Sequence, residues 1–107
     1  MVVGLTPAQF LERRGHGEAF VLLDVREVWE TVVAPVPIEH RHIPMGEIPD
    51  RLAELETDLN TVVICHAGSR SMEVARYLER RGFRAVFNLT GGIDAWSRDV
   101  NGTIPRY

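Results

Sequence analysis

Three short runs of the chain are almost wholly apolar: "AFVLLD" (19–24), "TVVIC" (61–65) and "AVFNL" (85–89). None alternates apolar with polar, so each reads as a strand covered on both faces, not as one with a wet side. Helical spacing fills the intervals. The first helix is announced by Thr6 as N-cap, Pro7 at its first position and Gln9 at the capping-box position. Leu5 and Phe10 are placed as a hydrophobic staple, and Gly15 marks the end. "REVWETV" (26–32) has a short helical look, and "GEIPDRLAELET" (46–57) sets Ile48, Leu52 and Leu55 at helical spacing. "SMEVARYLERRG" (71–82) predicts a helix from about Ser71 to Arg81, with Val74, Ala75 and Leu78 inward and Gly82 after its end.

Strands that alternate with helices and are apolar throughout predict an α/β fold: a small domain with a central parallel sheet and helices on both faces. No repeat, low-complexity segment or linker divides the chain, so residues 1–107 are expected to form one domain. "APVPIEHRHIP" (34–44) holds three of the six prolines and reads as loop with at most a brief extended piece. "TGGIDAW" (90–96) is a glycine turn into a short helix, and "VNGTIPRY" (100–107) is a polar tail.

A formal charge of -3 gives no reason to expect nucleic acid or an anionic membrane surface as a partner. No apolar run reaches the roughly 20 residues of a membrane span. Cys65 is the one cysteine, which excludes an internal disulfide and a cysteine-cluster metal site while leaving a reactive thiol open. The expected location is the cytoplasm, where such a thiol stays reduced.

Ligands of open α/β sheets bind outside the carboxyl ends of the strands, and Cys65 closes one. From there "CHAGSR" (65–70) must turn sharply into a helix, which points the N–H groups of Ala67 to Arg70 into the curve with the helix's positive end behind them. Helix start and neighbouring arginine both favour thiolate over thiol, which makes Cys65 a candidate nucleophile. Gly68 permits a close backbone approach. Arg70 offers a planar fork to an oxyanion, and Ser69 and Ser71 offer hydroxyls. His66 is a candidate donor. A cysteine closing a buried strand is often an inert core residue; a thiol, glycine turn, cation and helix start in one C-x-x-G-x-R run argue for chemistry instead.

With "LLDVRE" (22–27), "HIPMGEIP" (42–49) and "FNLTGGIDAW" (87–96), the loop "CHAGSR" resembles the rhodanese-type sulfurtransferases over nearly the whole chain. The tail "VNGTIPRY" is similar to that of rhodanese domains fused to, or working beside, the adenylating enzymes of sulfur-carrier proteins. The resemblance implies a rhodanese-like fold and a ping-pong cycle. The thiolate of Cys65 takes a sulfane sulfur from a donor such as thiosulfate, holds it as a persulfide and passes it to cyanide or a thiol. It implies a sulfur- and anion-binding pocket made by His66, Ala67, Gly68, Ser69 and Arg70, no cofactor, and a sulfur-carrier or thioredoxin-like protein as candidate partner. Cysteine phosphatases of related fold use C-x5-R, whereas Cys65 and Arg70 are spaced C-x4-R, leaving less room for a tetrahedral phosphate; Ile64 also stands where those phosphatases commonly carry histidine. A binding or adaptor domain with little transfer, and a small phosphatase or arsenate reductase, are the alternatives.

Asp24 and Arg26 fall at the end of the first apolar run, on the same side of the sheet as Cys65; the resemblance implies supports that pair with each other or brace the site, while read alone they are an ordinary strand-end pair with helix-capping value. His40 and His42 are two imidazoles without an evident third ligand, which reads as loop in place of a metal site. Gly91 and Gly92 read as a tight turn that lets Trp96 pack on the core, and Trp29 and Trp96 are each core or pocket wall.

Overall fold

The computed structural model describes residues 1–107. In chain order it runs β1 (Val3–Leu5), α1 (Pro7–Gly15), β2 (Val21–Asp24), α2 (Val28–Val33), β3 (Arg41–His42), β4 (Asn60–Ile64), α3 (Ser69–Arg80), β5 (Ala85–Leu89) and α4 (Gly92–Asp99). All three apolar runs are strands of one five-stranded sheet, ordered β1-β5-β4-β2-β3, and every neighbouring pair is parallel. Parallel strands need crossovers, and the helices that supply them cover both faces.

Side chains alternate across a strand, so each central strand feeds two cores. Leu22 of β2, Val62 and Ile64 of β4, and Phe87 and Leu89 of β5 pack with Phe10 of α1 and with Ile93 and Trp96 of α4. Leu23, Val63, Cys65 and Val86 face the other way, onto Val74, Ala75 and Leu78 of α3 and onto Ile48 and Leu55. Trp96 is therefore core, whereas Trp29 is exposed.

Local chemistry explains most boundaries. Thr6 caps α1 as its sequence requires: its hydroxyl accepts from the Gln9 N–H at 3.1 Å, and the Gln9 side chain accepts from the Thr6 N–H at 2.9 Å. Gly15 is still helical, and the left-handed glycine that releases the chain is Gly17, at φ 90°. The segment 46–57 is not an α-helix but two 3₁₀ segments, Met45–Glu47 and Pro49–Glu54. Pro49 has no N–H to give and its ring crowds the carbonyl four residues back, so α-helical bonding cannot run through it. Helix α3 starts at Ser69, two residues before the expected Ser71, because Gly68 takes the left-handed conformation at φ 110° and turns the chain at once. The strand β1 escaped the sequence pattern; only Leu5 of its three residues is buried, and its place is set by pairing with β5, Val3 beside Phe87 and Leu5 beside Leu89. No helix is long and apolar enough to cross a membrane.

The chain leaves β2 toward β3 on one side and β4 toward β5 on the other, so connections diverge between the carboxyl ends of β2 and β4. That divergence opens the crevice where α/β sheets bind ligands. Asp24 and Cys65 stand on its two banks.

Against the crevice packs the turn before α4. Gly91 (φ 78°) and Gly92 (φ 60°) are both left-handed, and a Cβ on Gly92 would lie 2.4 Å from the Cys65 carbonyl oxygen and 2.5 Å from that of His66. This approach lets the Ile93 N–H reach the Cys65 carbonyl at 2.9 Å and the Asp94 N–H reach the His66 carbonyl at 3.0 Å. The glycines thus dock α4 onto the cysteine loop as well as placing Trp96. Gly92→Ala is expected to cost more than about 2 kcal/mol, from the left-handed backbone and the backbone clash. Gly46→Ala, where no atom lies within 4 Å of the new Cβ, is expected to stay within about 0.5 kcal/mol of wild type. Urea unfolding midpoints of the two variants check the contrast.

Candidate functional site

Cys65 follows the last residue of β4 and is 1% exposed. Its carbonyl and that of His66 are bound by the Ile93 and Asp94 N–H groups of α4. The Gly68 N–H lies 3.1 Å from Sγ, the one N–H of the loop within bonding distance of it. On the other side the thiol is 3.2 Å from the Ser71 hydroxyl, to which it donates; Ser71 in turn donates to Asn88 Oδ1, and Asn88 Nδ2 donates to the Gly68 carbonyl at 3.1 Å. Thiol, serine, asparagine and loop backbone form a closed relay. Ser71 is fully buried in the first turn of α3, and once the sulfur is ionised its hydroxyl can rotate to donate to it.

Arg70 also lies in that first turn, but its fork is occupied. Its two terminal nitrogens donate to the two carboxylate oxygens of Glu30 at 2.8 and 2.7 Å. Glu30 projects from α2, where Val28, Trp29, Val32 and Val33 are exposed and the glutamate alone is buried. The carboxylate also accepts from the Glu27 N–H at 2.8 Å and the Tyr107 hydroxyl at 2.9 Å. With four donors its acceptor capacity is full. The Arg70 pair, followed by the Glu27 and Tyr107 bonds, overcomes burial and holds the Glu30 carboxyl down at about 2.

Asp24 and Arg26 do pair, with both side chains at zero exposure. Arg26 Nε is 3.0 Å and Nη2 2.9 Å from the Asp24 carboxylate. The remaining guanidinium protons go to the carbonyls of Ala34 (2.8 Å) and Glu30 (3.3 Å) and to the Tyr107 hydroxyl (3.1 Å). Tyr107 stacks on the His66 ring, with centroids 4.0 Å apart and planes at 13°, and meets Trp29 edge-on. Burial first, then its bond to Glu30, raise the Tyr107 phenol above its ordinary value despite the opposing Arg26. The C-terminal tail is fastened beside the loop by Arg106 on Asp94 at 2.9 Å as well.

The structure therefore gathers Cys65, His66, Gly68, Arg70, Ser71 and the Asp24–Arg26 pair around one crevice, with Ala67 and Ser69 exposed on the loop's outer side. His42 donates from Nε2 to the Arg26 carbonyl at 2.6 Å and His40 from Nδ1 to the Ile38 carbonyl at 2.8 Å. Sequence reading missed Glu30, Asn88 and Tyr107. Asn88 left a signal: one polar side chain inside an apolar strand must find a partner. Glu30 left none, because a helix with valines outward and its carboxylate inward inverts the usual pattern.

The family model "Rhodanese-like domain" matches residues 6–99. The rhodanese-like/PpiC domain-containing protein 12 of Arabidopsis thaliana is 40% identical over 90 residues, 80% of this chain; the chain spans 30% of that protein. The putative sulfurtransferase YtwF of Bacillus subtilis is 39% identical over 96 residues, 90% of this chain and 91% of that one. In the same organism the putative sulfur carrier protein YrkF is 36% identical over 88 residues, 82% of this chain and 47% of that one. Among solved structures, a rhodanese-like domain protein from Staphylococcus aureus superposes with a TM-score of 0.83 at 26% identity, covering 99% of both chains.

The Glu30 carboxyl has a pH consequence. Its value is lowered on folding from 4.5 to about 2, so its stabilisation is complete above the unfolded value and is lost as pH falls through the folded one. For this buried group the contribution is about 3 kcal/mol. Urea unfolding of wild type and Glu30→Gln should show a gap in stability that is constant above about pH 5 and closes toward about pH 2.

Proposed function

The chain belongs to the rhodanese-like domain family, and from that premise we propose that it is a sulfurtransferase that carries sulfane sulfur as a persulfide on Cys65. The observation that carries this reading is the placement of one buried sulfur between the Gly68 N–H and the Ser71 hydroxyl at the mouth of a parallel sheet. Donors that converge on a sulfur stabilise its anion, and the anion is the nucleophile.

In the proposed cycle the Cys65 thiolate attacks the sulfane sulfur of a donor such as thiosulfate or an organic persulfide. A new S–S bond forms to Cys65 while the donor's own S–S bond breaks, and sulfite or a thiolate leaves with the bonding pair. A nucleophilic acceptor, cyanide or a thiol, then attacks the terminal sulfur; the carbon–sulfur or sulfur–sulfur bond forms and the Cys65 thiolate leaves. Gly68 and Ser71 hold the Cys65 thiolate, and Arg70, through Glu30, keeps the loop over it. No cofactor is needed, because the persulfide is itself the carried group.

His66, Ala67 and Ser69 border the loop and are proposed to meet donor and acceptor. Asp24 and Arg26 are proposed to act by position, since every donor of Arg26 is already spent on protein acceptors. A protein acceptor with an exposed thiol or carboxyl terminus, such as a sulfur carrier or a thioredoxin-like protein, fits this chemistry; relatives of the chain include a protein named as a sulfur carrier. A reducing, cytoplasmic setting suits a lone working thiol and is part of the proposal.

The test is the intact mass of the desalted protein after exposure to thiosulfate and, separately, to an organic persulfide, then again after cyanide. The expected result is gain of one sulfur atom, its loss to cyanide, and no gain in Cys65→Ala. A free thiol that gains sulfur from neither donor would refute the transfer reading in favour of a binding domain.

A further inference from the structure

The charges around Cys65 cancel in pairs. Asp24 is matched by Arg26, Glu30 by Arg70 and Asp94 by Arg106, each pair in direct contact. Both oxygens of Glu30 are on Arg70, so no part of that carboxylate is left to shift elsewhere. The remaining positive field at the sulfur comes from the first turn of α3, equivalent to about half a charge. That partial charge favours one ionised sulfur. It does not match what thiosulfate brings, since two negative charges must approach a thiolate that already carries one, and at short range in a partly buried site that repulsion is large.

We propose that Glu30 sets donor selectivity: by holding Arg70 in a bidentate pair it withholds a cation from the sulfur pocket, so Cys65 is loaded from organic persulfides in preference to dianionic thiosulfate. This deepens the sulfur-transfer reading and rests on it. In the favoured step the Cys65 thiolate attacks the outer sulfur of R–S–SH; the new bond gives Cys65–S–SH and the thiolate R–S⁻ departs with the electron pair of the broken S–S bond. Charge is conserved at one negative unit throughout, and no oxidant or reductant enters. The same pairing makes Arg70 a latent anion binder, released wherever Glu30 is neutralised. Glu30 is a positioning residue here, since it acts only through Arg70.

The experiment compares kcat/KM for two donors, thiosulfate and the persulfide of 2-mercaptoethanol, in wild type, Glu30→Gln and Glu30→Gln with Arg70→Met, using cyanide as acceptor at one fixed pH. Wild type should favour the persulfide by at least about tenfold. Glu30→Gln should raise the thiosulfate-to-persulfide ratio by about tenfold through a lower thiosulfate KM, and the double variant should lose that gain. A merely structural Glu30 would lower both donors together and leave the ratio unmoved. Should Glu30→Gln not fold, the wild-type salt dependence decides: thiosulfate loading should not fall as salt is raised, whereas a free cation at the pocket would make it fall steeply. Preference of the wild type for thiosulfate, a ratio unmoved by Glu30→Gln, or a steep fall with salt each overturns the selectivity while leaving sulfur transfer intact. Loading of Cys65 from neither donor overturns the transfer reading itself.

Discussion

A guanidinium with no exposure to water organises the site. Arg26 lies under the crevice with all five of its N–H protons assigned: Asp24 takes the carboxylate share, and the Glu30 and Ala34 carbonyls and the Tyr107 hydroxyl take the rest. Burying such a pair yields little net stability, since desolvation offsets the attraction, but removing one partner strands a charge at a cost of about 3–5 kcal/mol. What the pair contributes is placement. Two of its acceptors are backbone carbonyls of α2 and its end, so Arg26 fixes where that short helix sits; a six-residue helix with its apolar side chains outward could not fix itself. Glu30 is set by that helix, Arg70 by Glu30, and the start of α3 by Arg70.

The second constraint is the accounting of backbone polar groups around the cysteine. A loop of four residues, Cys65 to Gly68, between a strand and a helix has no ladder to satisfy its carbonyls. Here α4 supplies the donors, through the Ile93 and Asp94 N–H groups, and Asn88 supplies one to the Gly68 carbonyl. With the carbonyls bound outward, the N–H side is left for the sulfur. The two left-handed glycines before α4 are what permit the approach. No buried side-chain nitrogen or oxygen is left without a partner, so the asymmetry around the sulfur is produced by directed bonding and not by unsatisfied groups.

How much of this was legible depends on which force decides each element. The strands β2, β4 and β5, helix α1 and the end of α3 follow from burial and capping, which are written locally, and they were readable to within two residues. Cys65, Gly68 and Arg70 were readable because their types and spacing state a strand, a turn and a helix start in six residues. The 3₁₀ segments were misread because the period of Ile48, Leu52 and Leu55 outweighed Pro49, whose missing N–H decides the matter. Glu30 and Tyr107 were invisible for a different reason: their meaning lies in contacts 40 and 77 residues apart along the chain. Arg70 was read as a fork open to an anion because no local feature says that its partner is already present.

That last difference bears on how a thiolate can be reactive without being held too well. A cation fixed beside the sulfur would stabilise the thiolate, but it would also hold an anionic donor or an anionic persulfide in its ground state, which gains nothing at the transition state. The Gly68 N–H and a hydroxyl give partial charges in fixed directions, matched to the one unit of negative charge on the Cys65 thiolate. By spending Arg70 on Glu30, the chain uses its strongest donor to hold the loop's shape and leaves the sulfur to weaker ones. The hydroxyl of Ser71 is suited to this because it can donate to the sulfur or to Asn88 and needs no rearrangement of the backbone to change between them.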